Sequence, residues 1–339
     1  MRLGPIDTRE RVLLVAEIGN NHEGDVALAE KLVREAAACG ADAVKFQVFR
    51  TRHFVSTGDA VRFARLLSFE LPFDTIADLG RLAKSLGLLF IATPLDLRSA
   101  RFLVDQVDAF KVASADNDFY PLLGLVAASG KPVIVSSGLS DLEQMARSKR
   151  VIEEAWELAS IPATARQLAI LHCVSSYPAP AEELHLASID LLGRELGCTV
   201  GYSDHTLNID ACVAAVAAGA RIIEKHFTID KHYSDFRDHQ LSADPSELKE
   251  LVAAVRRMAV LRGRSEKSMQ PSEAEHAQAL RRSIVAAADL PSGHRLCASD
   301  LTWIRPGTGL RPGEESLLLN RRLMHDVQFG EPILPADMD

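Results

Sequence analysis

Between residue 12 and about residue 260, short apolar runs alternate with longer amphipathic stretches, and this constrains the fold more than any other feature of the chain. The runs are Val12–Ile18, Ala43–Phe46, Leu88–Ala92, Ala109–Val112, Pro132–Val135, Leu168–Cys173, Thr199–Tyr202 and Arg221–Glu224. Helical patterns such as Asp25–Cys39, Asp74–Leu86 and Asp141–Ala159 lie between them, with Asp25 placed to cap a helix and Gly40 to stop it. Apolar strands joined by helices pair in parallel, because each return crossover needs a helix. Eight such units in about 250 residues fit an α/β fold of the (β/α)8 TIM barrel type better than an open sheet. The expected barrel domain is 1–263. Residues 264–280 read as a polar linker with some helix. Residues 281–339 read as a small, mostly β domain with strands at Ser283–Ala287, Leu301–Ile304 and Gln328–Ile333.

A chain that is 47% hydrophobic and 25% charged carries enough apolar material for a large core without disulfides or a structural metal. Its five cysteines form no close pairs and are odd in number, as expected of reduced thiols. No apolar run reaches the ~18 residues of a membrane span, and Met1–Arg11 lacks a signal-peptide core, so a cytoplasmic protein without a membrane partner is expected. With 38 basic and 46 acidic residues, net −8, a broad basic surface for nucleic acid is excluded. An anionic substrate is not, because a few lysines in a pocket override the global sign.

Barrels of this kind place reacting groups at the carboxyl ends of their strands. Here those ends are polar: Glu17, Asn20, Asn21 and His22 after the first run, Lys45 and Gln47 after the second, Thr93 after the third, and Lys111 with Ser114 after the fourth. Ser136 closes the fifth, His172 through Tyr177 the sixth, Ser203, Asp204 and His205 the seventh, and Glu224, Lys225 and His226 the eighth. Two lysines, several hydroxyls and small glycine turns at one mouth suit a phosphate-bearing anion. His205 and His226 close adjacent strands, and two imidazoles with a carboxylate, leaving positions open for water or substrate, suit a catalytic metal. Asp204, Asp238 and His239 lie near that pair in sequence, while position alone leaves His22, His172 and His239 unranked.

At these residues the chain resembles the N-acetylneuraminate (sialic acid) synthase family, including its spore coat polysaccharide synthases. The resemblance runs through Ala16–Gly24, Gly40–Gln47, Gly130–Gly138, Leu171–Cys173, Tyr177-Pro178, Gly201–Thr206 and Glu224–Thr228. It continues in Arg282–Val285 and Arg305–Gly309, which look like the family's antifreeze-like (SAF) domain. It implies a transferase that condenses phosphoenolpyruvate with an N-acyl hexosamine aldehyde, similar to N-acetylmannosamine, to give a nonulosonic acid and phosphate. It further implies a divalent metal on His205 and His226, Mn²⁺ foremost with Mg²⁺ or Co²⁺ as alternatives. Glu17 matches the acid/base carboxylate, with Asp116 and Tyr177 also at catalytic positions. Lys45, Thr93, Lys111, Ser114, Ser136, Ser175 and Ser203 match phosphoenolpyruvate contacts, Gln47 is a further substrate-binding candidate, and Tyr177 and Asp238 match sugar-side positions. Arg305 matches an arginine that a partner subunit presents, which implies a domain-swapped homodimer.

The chain departs from the family pattern on the substrate side. Ala115-Asp116 stands where Gly-Glu is common, Phe236-Arg237 precedes Asp238-His239 where Gly-Pro is common, and Val174-Ser175 replaces Thr followed by Ser or Asn. The excursion Arg50–Leu71 is shorter and lacks an asparagine that reaches the phosphate side. A related synthase with another acceptor sugar, or a catalytically silent sugar-binding barrel, are the competing expectations. Retention of Glu17, Lys45, Lys111, His205 and His226 together argues against silence.

Overall fold

The computed structural model describes all of residues 1–339, in two compact units, Met1–Gly263 and Arg264–Asp339. A two-stranded hairpin, β1 (Arg2–Leu3) and β2 (Ile6–Asp7), opens the first unit. Eight parallel strands follow: β3 (Leu13–Gly19), β4 (Ala43–Val48), β5 (Leu89–Pro94), β6 (Ala109–Val112), β7 (Val133–Ser136), β8 (Leu168–Cys173), β9 (Thr199–Asp204) and β10 (Ile222–His226). Each pairs with the next and β10 pairs with β3, so the sheet closes into a barrel. All eight runs expected from the sequence are strands. The first helix, Val26–Cys39, begins and ends for the reasons read from sequence. The Asp25 carboxylate accepts the amides of Ala27 and Leu28, and Gly40 adopts φ 86°, which only glycine takes cheaply.

Alternation along the strands divides the barrel's side chains between two environments. Val44, Phe46, Phe90, Phe110 and Ile223 face outward and pack under the helices in the main apolar core. Leu13, Val15, Ala43, Leu89, Ile91, Ala109, Ile134, Ala169, Leu171 and Ile222 fill the lower interior. Leu3, on the hairpin, joins that lower cluster and is fully buried. The hairpin therefore stoppers the barrel's amino-terminal end, a role that the polar stretch Met1–Arg11 did not announce. Its backbone is tied there by Met1 N donating to Thr199 Oγ1 at 3.0 Å and Arg2 N to Gln167 Oε1 at 2.9 Å.

The second unit contains a helix, Pro271–Leu280, and one antiparallel pair, β11 (Ser283–Ala286) with β12 (Leu301–Ile304). Its own core gathers Ile284, Leu296, Leu301, Leu318, Leu323 and Ile333. Gln328–Ile333 is not the strand its apolar residues suggested. Pro332 cannot donate to a ladder and Gly330 turns at φ 79°, so only an isolated bridge, Val285 to Pro332, forms there.

Candidate active site

Partway up each strand the interior positions change from apolar to polar. Two residues beyond Val15 comes Glu17, beyond Ala43 Lys45, beyond Ile91 Thr93, and beyond Ala109 Lys111. Ser136, Cys173, Ser203 and Glu224 complete the set at the same parity on β7 to β10. The barrel thus has an apolar base and a polar upper layer that is nearly closed to solvent, with Glu17, Lys45 and Lys111 at 1%, 4% and 2% exposure.

Charges in that layer are knitted together. Lys45 Nζ lies 3.1 Å from Glu17 Oε1 and 3.5 Å from Glu224 Oε2, and it donates to Thr93 Oγ1 at 3.0 Å. Lys111 Nζ is 3.7 Å from Glu224 Oε1, which also accepts from Ser203 Oγ at 2.8 Å. Gln47 bridges outward, its Nε2 3.5 Å from Glu17 Oε1 and its Oε1 accepting from Asn20 Nδ2 at 2.7 Å. Glu224 is therefore the hub of the layer, and reading the sequence alone did not single it out. The signal was present: Glu224 lies two residues before His226 and so faces the same way.

The two glutamates are shifted in opposite directions. Burial pushes the Glu17 carboxyl up to about 7, Lys45 pulls against it and the neighbouring Glu224 charge adds to it. Burial acts on Glu224 too, but Lys111, Lys45 and the Ser203 hydroxyl outweigh it and hold its carboxyl well below the usual range. Two lysines facing one firm carboxylate leave the layer net positive when Glu17 is protonated, which favours an anion.

Beside the lysines, three loops approach closely. Gly138 N donates to Ser114 Oγ at 3.1 Å, and a Cβ at Gly138 would fall 2.3 Å from Ser175 Oγ and 2.7 Å from Ser114 Oγ. Glycine is required there by this contact and not by its φ. Asn117 holds the same loop by donating to the Gly138 carbonyl at 2.9 Å. Ser136 Oγ, Ser175 Oγ and Glu17 Oε2 are buried and find no partner within the protein. A buried polar atom without a partner is costly, so such a cluster marks where a polar ligand is accommodated. A cavity of about 490 Å³ lined by Ser137, His172, Cys173, Val174 and Ser175 adjoins this side. Asp116, in the turn Ser114–Asp116, is half-buried, and burial with help from Asp118 raises its carboxyl to about 6.

His205 and His226 meet above the polar layer with ring centroids 5.5 Å apart. His205 Nδ1 donates to the Val174 carbonyl at 2.8 Å, which leaves Nε2 with a free lone pair. Burial, with the charges of His205 and Lys45, drives His226 well below the ordinary histidine range, so its ring is neutral. Its buried Nδ1 has no protein partner. Burial works against charge on His205, but Cys173 and the Val174 carbonyl outweigh it and raise its ring above the ordinary histidine range. Imidazole nitrogens from two adjacent strands fit a divalent cation once His205 is deprotonated, and no third His, Cys, Asp or Glu joins them in a closed cage. The Tyr177 ring lies tilted with its centroid 4.1 Å from that of His205, and the Arg237 guanidinium lies 4.4 Å from the Tyr177 ring centroid. Asp238, 8% exposed and raised by burial, follows Arg237.

Other polar residues flagged from sequence are engaged elsewhere. Asp204 faces the helices and pairs with Lys225. His239 bridges Thr228 Oγ1 at 2.6 Å and Glu23 Oε1 at 2.9 Å, anchoring the loop that carries Asp238. His172 Nε2 meets the Leu184 carbonyl at 2.6 Å, and His22 Nδ1 accepts the Gly24 amide at 3.0 Å. Arg305 is exposed on the second unit.

Comparison with known proteins adds to this geometry. Residues 32–267 match the NeuB family and residues 281–338 the SAF domain. An uncharacterised protein of Methanocaldococcus jannaschii is 42% identical over 330 residues, 97% of this chain and 95% of the other. The N,N'-diacetyllegionaminic acid synthase of Legionella pneumophila is 35% identical, with 95% and 93% covered. The N-acetylneuraminic acid (sialic acid) synthetase structure from Leptospira borgpetersenii superposes with a TM-score of 0.74 at 32% identity, covering 81% of this chain and 94% of that one.

Proposed function

The chain belongs to the NeuB family and carries a SAF domain, and from that premise we propose that it condenses phosphoenolpyruvate with an N-acyl hexosamine aldehyde. The products are a nonulosonic acid and inorganic phosphate. The observation that carries this reading is the buried layer of Glu17, Lys45, Lys111 and Glu224 beneath the paired imidazoles of His205 and His226. Lys45 and Lys111 take the carboxylate and phosphate of the anion, with Thr93, Ser136, Ser203 and the Ser114–Gly138–Ser175 approach supplying hydrogen bonds. His205 and His226 would hold a divalent cation, Mn²⁺ by preference, which supplies Lewis-acid polarisation of the acceptor carbonyl.

In the reaction, the methylene carbon of phosphoenolpyruvate forms a bond to the aldehyde carbon, and the enol carbon becomes electron-poor. Water adds there and loses a proton, and the resulting tetrahedral intermediate expels phosphate. Glu17, whose carboxyl titrates near neutrality, exchanges that proton or the one gained by the new hydroxyl. Tyr177, held between His205 and Arg237, and Asp238 border the acceptor side. By resemblance to the family, Arg305 would serve the site of a partner subunit, and the working form is proposed to be a homodimer with shared sites.

The test is phosphate release from phosphoenolpyruvate and Mn²⁺ across a panel of N-acyl hexosamines, each tried with and without chelator. Release that requires both a free aldehyde and the metal is expected. Failure of every sugar, together with no binding of phosphoenolpyruvate by calorimetry, would overturn the reading.

A further inference from the structure

Behind the two imidazoles, on the barrel's helix-facing side, lies a buried ion pair to which the reaction assigns no task. Asp204 and Lys225 immediately precede His205 and His226, and strand alternation turns them to the opposite face. They are register partners across β9 and β10. Their side chains are 0% and 1% exposed, and Lys225 Nζ lies 2.6 Å from Asp204 Oδ2.

The pair is the centre of a larger hub. Asp204 also accepts from the Tyr202 hydroxyl at 3.0 Å, the Thr206 amide at 3.1 Å and the Thr206 hydroxyl at 3.0 Å. Lys225 donates in turn to the Thr206 carbonyl. The backbone on both sides of His205 is thereby tied to the residue before His226. The neighbours on this face, Ile223, Tyr202 and Cys212, belong to the apolar core. A well-packed apolar pair serves such a place at least as well for stability, because desolvating two charges offsets most of their attraction. The His226 ring has no hydrogen bond of its own, so its placement depends on the strand that carries it.

We infer that the Asp204–Lys225 hub is a positioning device that sets the spacing of His205 and His226 and preorganises them for a divalent cation. The inference rests on the metal-dependent reading above. Residues that orient metal ligands without touching the ion commonly change metal affinity 10–100-fold when altered.

The experiment titrates MnCl₂ into chelator-stripped full-length protein, reading free Mn²⁺ by electron paramagnetic resonance, with phosphoenolpyruvate affinity measured separately by calorimetry. Asp204→Asn combined with Lys225→Gln removes both charges together and avoids stranding one. Folded by circular dichroism, this variant should bind Mn²⁺ at least about tenfold more weakly while phosphoenolpyruvate affinity stays within twofold. Mn²⁺ affinity within twofold of the parent would overturn the inference. So would an equal loss of both ligands, which would make the hub a support for the whole mouth. Should the double variant not fold, Tyr202→Phe removes a single donor and keeps both charges. Weaker Mn²⁺ binding there supports the role, and unchanged binding overturns it. His226→Ala serves as the control: if it binds Mn²⁺ like the parent, the metal reading itself fails, and the inference falls with it.

Discussion

Two carboxylates within 3.5 Å of the same lysine nitrogen are shifted in opposite directions, and the reason lies in their other neighbours. Glu224 meets a second lysine and a serine hydroxyl, whereas Glu17 meets Gln47 at 3.5 Å and has one oxygen without a partner. Burial therefore wins at Glu17 and loses at Glu224. The same argument makes Asp116 a stability liability. Its carboxyl is raised from 3.8 to about 6, chiefly by burial. Well below pH 3.8 it is protonated in both the folded and unfolded chain and contributes no difference. Between pH 4 and 6 the unfolded chain releases its proton first, so the unfolded state binds fewer protons and stability falls as pH rises. Above pH 6 the penalty is constant. Asp116→Asn should therefore leave Tm nearly unchanged at about pH 3 and raise it at about pH 7.5, as measured by calorimetry. A variant less stable than the parent at pH 7.5 would show that Asp116 is held by favourable contacts of its ionised form.

Among the elements, what was legible in the sequence is what repeats. Eight apolar runs separated by helices leave few alternatives to a closed parallel sheet, and helix boundaries at Asp25, Gly40 and Asp141 follow from local capping. Residues at strand ends could be assigned to the mouth because the topology brings all carboxyl ends together. Parity could have gone further and selected Glu224 over Lys225. Residues that act through tertiary contact were not legible: Asp204 and His239 stand near the histidine pair in sequence and read like candidate ligands until their partners are known. The amino-terminal hairpin was missed because its strands are two residues each and only Leu3 is fully buried among polar neighbours. Leu3 is nonetheless the stopper of the lower interior. Leu3→Ala removes a fully buried side chain, so about 2–5 kcal/mol of stability should be lost in urea unfolding. Phosphoenolpyruvate affinity at 25 °C should change less than twofold, because the polar layer lies at the other end of the strands. A loss below 1 kcal/mol would mean that the hairpin is a loose appendage.

At the scale of the whole molecule, each unit has a core built from its own residues: the barrel cores draw only on Met1–Gly263, and the second core only on Ile284–Met338. Deleting residues 281–339 should then leave a cooperatively folding barrel that still binds phosphoenolpyruvate, since Lys45 and Lys111 belong to the first unit. The small unit has a modest core, and isolated domains of that size are marginal. A structural ornament would gain little from an exposed arginine such as Arg305 beside Pro306 and Gly307. The proposed shared site gives it a use, and mixing two inactive variants tests this directly. Arg305→Ala chains lack the group given to the partner, and Glu17→Ala chains lack the proton carrier of their own barrel. In a mixed dimer with shared sites, one site has lost both groups and the other keeps both. Random exchange makes half the dimers mixed, so about a quarter of parental turnover should return. If subunit exchange is demonstrated by mass tags and the mixture stays as inactive as its parents, Arg305 serves its own chain. In that case each barrel completes its site without a partner.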